Sequence, residues 1–151
     1  MKIAVIGATG STGQAFIQQA TARGHHVTVL ARTPQKLTFQ HEALTIVTGD
    51  PLVEADVKRV VQGQEAVLIA LGAGMTDTIQ VRTEGTQHVL QALAALGETP
   101  HLVVISSLGA NESAEQMPPA NRAMIRQFLG KALADHDSQE TLVRASDLPW
   151  T

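Results

Sequence analysis

The sequence predicts an α/β protein: a Rossmann-like, doubly wound parallel sheet in three αβα layers. Three observations carry this. Short apolar runs recur along the chain with helical patterns between them, and strand alternating with helix implies parallel βαβ units with right-handed crossovers. The runs are continuously apolar rather than alternating, as strands covered by helices on both faces must be. The first run also leads straight into a glycine-rich turn, "GATGSTG", and a helical pattern opens directly after it. The expected strand order is 3-2-1-4-5.

Ile3 to Ile6 is the first strand. Gln14 to Arg23 carries Phe16, Ile17 and Ala20 on one helical face, and Gly24 suits its end. Val27 to Leu30 is the second strand. The link to Leu44 is the weakest part of the pattern: Pro34 suits the start of a short helical turn, and Gln35 to Ala43 reads mostly as loop. Leu44 to Val47 is the third strand. Glu54 to Gln62 places Val57, Val60 and Val61 together on a helix closed by Gly63.

Ala66 to Ile69 is the fourth strand. A longer helix from Asp77 to Leu96 turns Val89, Leu90, Leu93 and Leu96 inward and ends at Gly97. Leu102 to Ile105 is the fifth strand. "SLGANESAEQMPP" is polar and rich in small residues and reads as a mobile loop. Asn121 to Asp135 and Ser138 to Ala145 read as two helices. "SDLPWT" then delivers the chain toward a sixth strand at Trp150-Thr151, where the sequence stops. A tryptophan there has little to pack against unless more chain follows. The expectation is a single domain, residues 1–151, that lacks C-terminal segments of the substrate pocket. No internal linker or repeat interrupts it.

Composition narrows the function. The net charge of -3 offers no basic footprint, so nucleic acid is not an expected partner. No cysteine is present, which excludes thiol catalysis, disulfides and thiolate metal sites and fits a reducing cytoplasm. The first apolar run is broken at Gly7, unlike a signal peptide, and no apolar segment approaches membrane-spanning length. A cytoplasmic protein acting on a small molecule is expected, with no membrane partner; the oligomeric state is left open. His25-His26 read as surface residues, and no His/Asp/Glu cluster has metal-ligand spacing.

Gly7, Gly10 and Gly13 form G-x-x-G-x-x-G between a strand and a helix. Gly7 suits a tight turn, Gly10 lets the backbone approach a pyrophosphate, and Gly13 allows close helix–strand packing. The amides of Ser11, Thr12 and Gly13, with Thr9 in the same turn, would face the phosphates from a helix N-terminus. No Gly-Lys-Ser/Thr follows, so this is not a Walker loop.

The choice of dinucleotide falls at the end of the second strand. An NAD site places Asp or Glu there for the ribose 2′-hydroxyl. This chain has Arg32 and Thr33, with Lys36 nearby, and a guanidinium matches a 2′-phosphate. NADP(H) is favoured, with NAD(H) the alternative; the competing reading of Arg32 is a solvated surface arginine. Asp50 follows the third strand, where it could accept from an adenine amino group or simply shape the turn before Pro51. Ala70, Leu71 and Gly72 follow the fourth strand, and their small or apolar character lets a cofactor pass close.

These pieces, GATGSTG, VLAR, VTGD, ALGAG, "VRTEGTQHVLQAL" and "VVISSLGA", resemble the atypical branch of the short-chain dehydrogenase/reductase superfamily. The likeness runs from Lys2 to Thr151 and is strongest to the NAD(P)H-binding group of biliverdin reductase B and flavin reductases. It implies a Rossmann fold and NADPH-dependent reduction of small conjugated or planar substrates such as flavins or quinones. The Tyr-x-x-x-Lys pair of ordinary members is absent, because the chain has no tyrosine; Asn121-Arg122 lies near where it would fall.

Ser106 and Ser107 follow the fifth strand, where family enzymes keep a polar group beside the nicotinamide, and Ser107 matches that position better. Either hydroxyl can bond a substrate carbonyl, or merely satisfy backbone groups where the strand ends. His136, between Asp135 and Asp137, is a candidate proton donor, though the pattern more readily makes it an exposed helix residue. A non-catalytic protein that senses the NADPH/NADP ratio and signals to a partner is the alternative function.

Overall fold

The computed structural model describes residues 1–72 and 80–151. Five parallel strands, β1 (Lys2–Ile6), β2 (His26–Ala31), β3 (Leu44–Thr48), β4 (Ala66–Ile69) and β5 (His101–Val104), lie in the order β3-β2-β1-β4-β5. This is the expected order, with β1 at the centre pairing both β2 and β4. Its reversal beside β1 opens a crevice at the carboxyl ends of β1 and β4.

Side chains of successive strand residues point to opposite faces. Val5 therefore joins Ile17 and Ala20 of helix α1 (Ser11–Ala22) on one side of the sheet. Ala4 and Ile6 face the other side, where they meet Val57, Val60 and Val61 of α2 (Glu54–Val61) and Val89 and Leu93 of α3 (Val81–Leu96). The three α2 valines are fully buried, and each contributes about 1.5–3 kcal/mol by leaving water. Gly24, Gly63 and Gly97 all close their helices with positive φ, as the sequence implied. The expected start of α3 at Asp77 falls partly among residues 77–79, outside the described ones.

Three expectations are corrected. The third strand reads as buried, yet β3 is largely exposed and Ile46 keeps 38% of its surface. It is an edge strand, and the β2–β3 link carries only a one-turn 3-10 helix, Pro34–Lys36, in place of a covering α-helix. The "SLGANESAEQMPP" segment is not a bare loop. A 3-10 helix, Asn111–Gln116, forms there with Ala114 and Met117 buried, and Asn111 ties it to the next helix through Asp137 and Glu140. The two closing helices are one, α4 (Pro119–Arg144), which packs on α3. No proline or glycine separates Asp135 from Ser138, so nothing breaks the backbone ladder there.

Beyond α4 the chain runs back along β5. Leu102 N–H donates to Pro149 O at 2.8 Å, Thr151 N–H to Leu102 O at 2.9 Å and Val104 N–H to Thr151 O at 2.9 Å. Trp150 thus begins a parallel pairing on the free edge of β5.

Candidate active site

At the end of β1 the chain turns through Gly7 with φ +100°, and a side chain there would run into the backbone of Ala70 and Leu71 of the adjoining β4 connection. Gly13 is equally constrained: a Cβ would overlap Gly7 O and lie 2.9 Å from Ala8 Cα. Gly10 is different. Its φ of -74° suits any residue, and an added Cβ would touch only Gly7 O at 3.6 Å. The protein itself therefore needs Gly7 and Gly13, whereas the bareness of Gly10 matters only to something lying in the crevice. Gly10 is also the N-cap of α1, with no side-chain cap and no acid in the first turn. The positive end of the helix and its leading N–H groups are left to face the crevice.

The crevice measures about 540 Å³, within the usual range for small-molecule sites. Gly7, Thr9, Gly10, Ser11 and Thr12 form its floor, Arg32 and Lys36 close one end, and Ala70, Leu71 and Gly72 line the middle. Ser106, Ser107, Arg82 and His136 form the other end. Three of the residues singled out in the sequence do not line it. Gly13 packs beneath the turn. Thr33 gives its carbonyl to Lys36 N–H at 3.1 Å. Asp50 Oδ1 accepts Leu52 N–H at 2.9 Å, so its carboxylate shapes the turn before α2.

Among the described residues neither Arg32 nor Lys36 has an ion-pair partner. Both are exposed at the end of β2, where charge is unopposed. An uncapped helix end, an unfilled glycine and two free cations fit the pyrophosphate and the far phosphate of a dinucleotide.

The two serines after β5 are not equivalent. Ser106 Oγ donates to Glu140 of α4, and Glu140 also accepts from Asn111 Nδ2 at 2.8 Å. The Ser106 proton is thereby committed. Among the described residues Ser107 Oγ makes only a long bond of 3.3 Å to the neighbouring Leu108 O, which leaves its hydroxyl available to a ligand.

The wall beside them was only partly visible in the sequence. α3 begins without a side-chain cap of its own, and Asp135 of α4 supplies one from 52 and 53 residues away. Its carboxylate accepts Arg82 N–H at 3.1 Å, Thr83 N–H at 2.9 Å, the Thr83 hydroxyl at 2.7 Å and Arg82 Nη1 at 3.2 Å. Burial alone would raise the Asp135 pKa, but these hydrogen bonds from Thr83 and Arg82 outweigh it and hold the carboxyl below its ordinary value. Neither Arg82 nor Asp135 stood out in the sequence; the available signal was Gln80, a weak cap before a long helix.

His136 overturns the exposed-residue expectation. It is 8% accessible, lines the crevice, and its Nδ1 is buried without a hydrogen-bond partner among the described residues. A polar atom stranded in this way costs about 1–3 kcal/mol. Burial lowers the His136 pKa, with the Arg82 guanidinium adding to the effect; Asp135, Gln139 and Glu140 oppose them without reversing the direction. The imidazole is consequently neutral at neutral pH. It can donate a hydrogen bond there but is a poor source of a proton.

Known proteins share this architecture. A short-chain dehydrogenase/reductase of Veillonella parvula DSM 2008, solved in complex with NADP, superposes with a TM-score of 0.82 at 17% identity, over 99% of this chain and 66% of its own. ChuY, an anaerobilin reductase of Escherichia coli O157:H7, gives 0.78 at 16% identity, over 99% and 70%. By sequence, the photosystem II assembly factor Ycf39 of Synechocystis sp. is 31% identical over 64% of this chain and 31% of its own length. A (4-alkanoyl-5-oxo-2,5-dihydrofuran-3-yl)methyl phosphate reductase of Streptomyces griseus is 28% identical over 99% of this chain and 45% of its own length. The chain thus spans less than half the length of these two relatives. The family described as NAD(P)H-binding matches residues 7–151, from the first glycine of the turn onward, and the chain belongs to that family.

Proposed function

We propose that the protein is an NADPH-dependent reductase of small planar acceptors such as flavins or quinones. The observation that carries this is a single crevice joining the glycine turn, two free cations at the end of β2 and an uncommitted hydroxyl after β5. Relatives whose names describe reductases support the reaction class. Gly10, Ser11 and Thr12 present backbone to the pyrophosphate, and Arg32 and Lys36 hold the 2′-phosphate. Ala70, Leu71 and Gly72 leave room for the cofactor to cross the sheet. A reduced nicotinamide held there would supply the hydride and be left oxidised, and the reduced acceptor would take its proton from water. Ser107 donates a hydrogen bond at that end of the crevice. Residues 1–151 are read as one NAD(P)-binding domain, and the lack of cysteine supports a cytoplasmic setting.

The absence of tyrosine favours a second reading, a non-catalytic sensor of the NADPH/NADP ratio. Titration of the Arg32→Ala variant tests the cofactor. NADPH affinity is expected to fall at least about ten-fold, the value of one charge-assisted bond, while NADH affinity stays nearly unchanged. Equal losses would remove Arg32 from the 2′-phosphate. NADPH oxidation across a panel of flavins and quinones tests the reaction; tight cofactor binding without turnover would favour the sensor.

A further inference from the structure

We infer that His136 is the hydrogen-bond donor that receives the carbonyl oxygen of the acceptor, at the end of the crevice opposite Arg32. The inference rests on the reductase reading and names the residue that orients the acceptor within it. His136 lines the crevice; its Nδ1 is shut away from that space, which leaves Nε2 as the ring nitrogen that can meet a ligand. It stands one helical turn before Glu140, the residue that holds Ser106, so α4 sets His136 beside the two serines at the end of β5. From the other side comes Arg82, which also lines the crevice and is itself fixed by Asp135.

The chemistry calls for such a group. Hydride uptake by a quinone, a flavin or an enone builds negative charge on the conjugated oxygen, and this chain has no tyrosine to meet it. A rigid N–H donor next to a guanidinium stabilises that charge without giving up a proton, because its hydrogen bond strengthens as the oxygen becomes anionic. The substrate class that follows is a planar conjugated carbonyl compound, rather than an isolated ketone or aldehyde that needs a protonating acid at its oxygen.

The test compares wild type with His136→Leu, His136→Asn and His136→Gln. Asn keeps a donor near the Nδ1 position and Gln one near Nε2. Riboflavin and menadione serve as probes, with binding read by fluorescence quenching in the presence of NADP+ and turnover read from NADPH oxidation. Leu is expected to weaken probe binding and lower kcat/KM at least ten-fold. Asn or Gln should recover most of both, and NADP+ affinity should stay within two-fold throughout. Because the histidine works in its neutral form, probe binding should be flat from pH 7 to 8. Arg82, Asp135 and Glu140 are the charged groups facing it. Retention of wild-type binding by Leu, or failure of both Asn and Gln to exceed Leu, would overturn the assignment of His136 alone. If wild type neither bound nor reduced either probe, the assignment and the reductase reading would fall together, leaving the Arg32 result to stand by itself.

Discussion

Gly10 and Gly13 are interchangeable letters in a motif, and the folded turn separates them. Gly13 sits against Gly7 and Ala8, so Gly13→Ala forces backbone to move. We expect it to lower the unfolding free energy by about 1–3 kcal/mol, measured by urea denaturation. Gly10→Ala meets no such obstacle. It should leave the urea midpoint unchanged or slightly raised, because alanine restricts the unfolded chain, while cofactor affinity drops at least ten-fold in a titration. A protein that kept its affinity after Gly10→Ala would show that no ligand backbone approaches this glycine. The serines separate in the same manner: adjacent in sequence, one is bound to Glu140 and the other, among the described residues, makes only a long bond to Leu108 O.

At the scale of elements, the join between α3 and α4 shapes the β5 end of the crevice. Asp135 serves both as a cap for α3 and as the counter-ion of Arg82, with the pair almost wholly buried. Its removal leaves a buried guanidinium uncompensated and two leading amides of α3 without acceptors. Asp135→Ala should therefore cost about 3–5 kcal/mol, far more than loss of an exposed pair. The same change at Asp56, which pairs with the exposed Arg59 and accepts Asp50 N–H at 2.9 Å, is expected to cost less, because both partners can turn to water instead. Comparable losses at the two positions would mean that the α3–α4 join is not stabilised by its ion pair. The 3-10 helix at Asn111–Gln116 belongs to the same assembly, since Asn111 reaches Asp137 and Glu140.

For the whole molecule, the two titrating groups of this join set how stability follows pH. The folded state depresses the His136 pKa below its ordinary 6.5, so below that value the unfolded chain binds the proton more readily. Stability is complete above pH 6.5 and declines as pH falls through the window between that value and the lowered one. Asp135 behaves in the same direction at lower pH: its contribution is present above 3.8 and is lost as pH drops through the depressed folded value. Urea midpoints measured between pH 5 and 7 should slope upward with pH in wild type and become flatter in His136→Gln. An identical slope in both proteins would place the titration elsewhere. No described helix is long and apolar enough to cross a membrane, and the fold is organised wholly around the sheet.

The order of the strands, the glycine turn and the basic end of β2 were legible in the amino-acid sequence. Each depends on a local pattern: an apolar run of strand length, a residue that tolerates φ near +100°, or a charge a fixed step beyond a strand. The bareness of β3 was not legible, because a buried strand and an edge strand of the same composition differ only in what covers them. Nor was the polar wall. A histidine between two aspartates reads as a solvated helix surface, and only the packing of α4 on α3 turns it inward. Asp135 and Arg82 meet across 53 residues, and Ser106 and Glu140 across 34. Sequence by itself determined the sheet and the glycine turn at its centre, since these follow from short-range backbone preferences. The tertiary structure alone decided which side chains line the β5 end of the crevice, because burial and partnership arise only when distant helices close on one another.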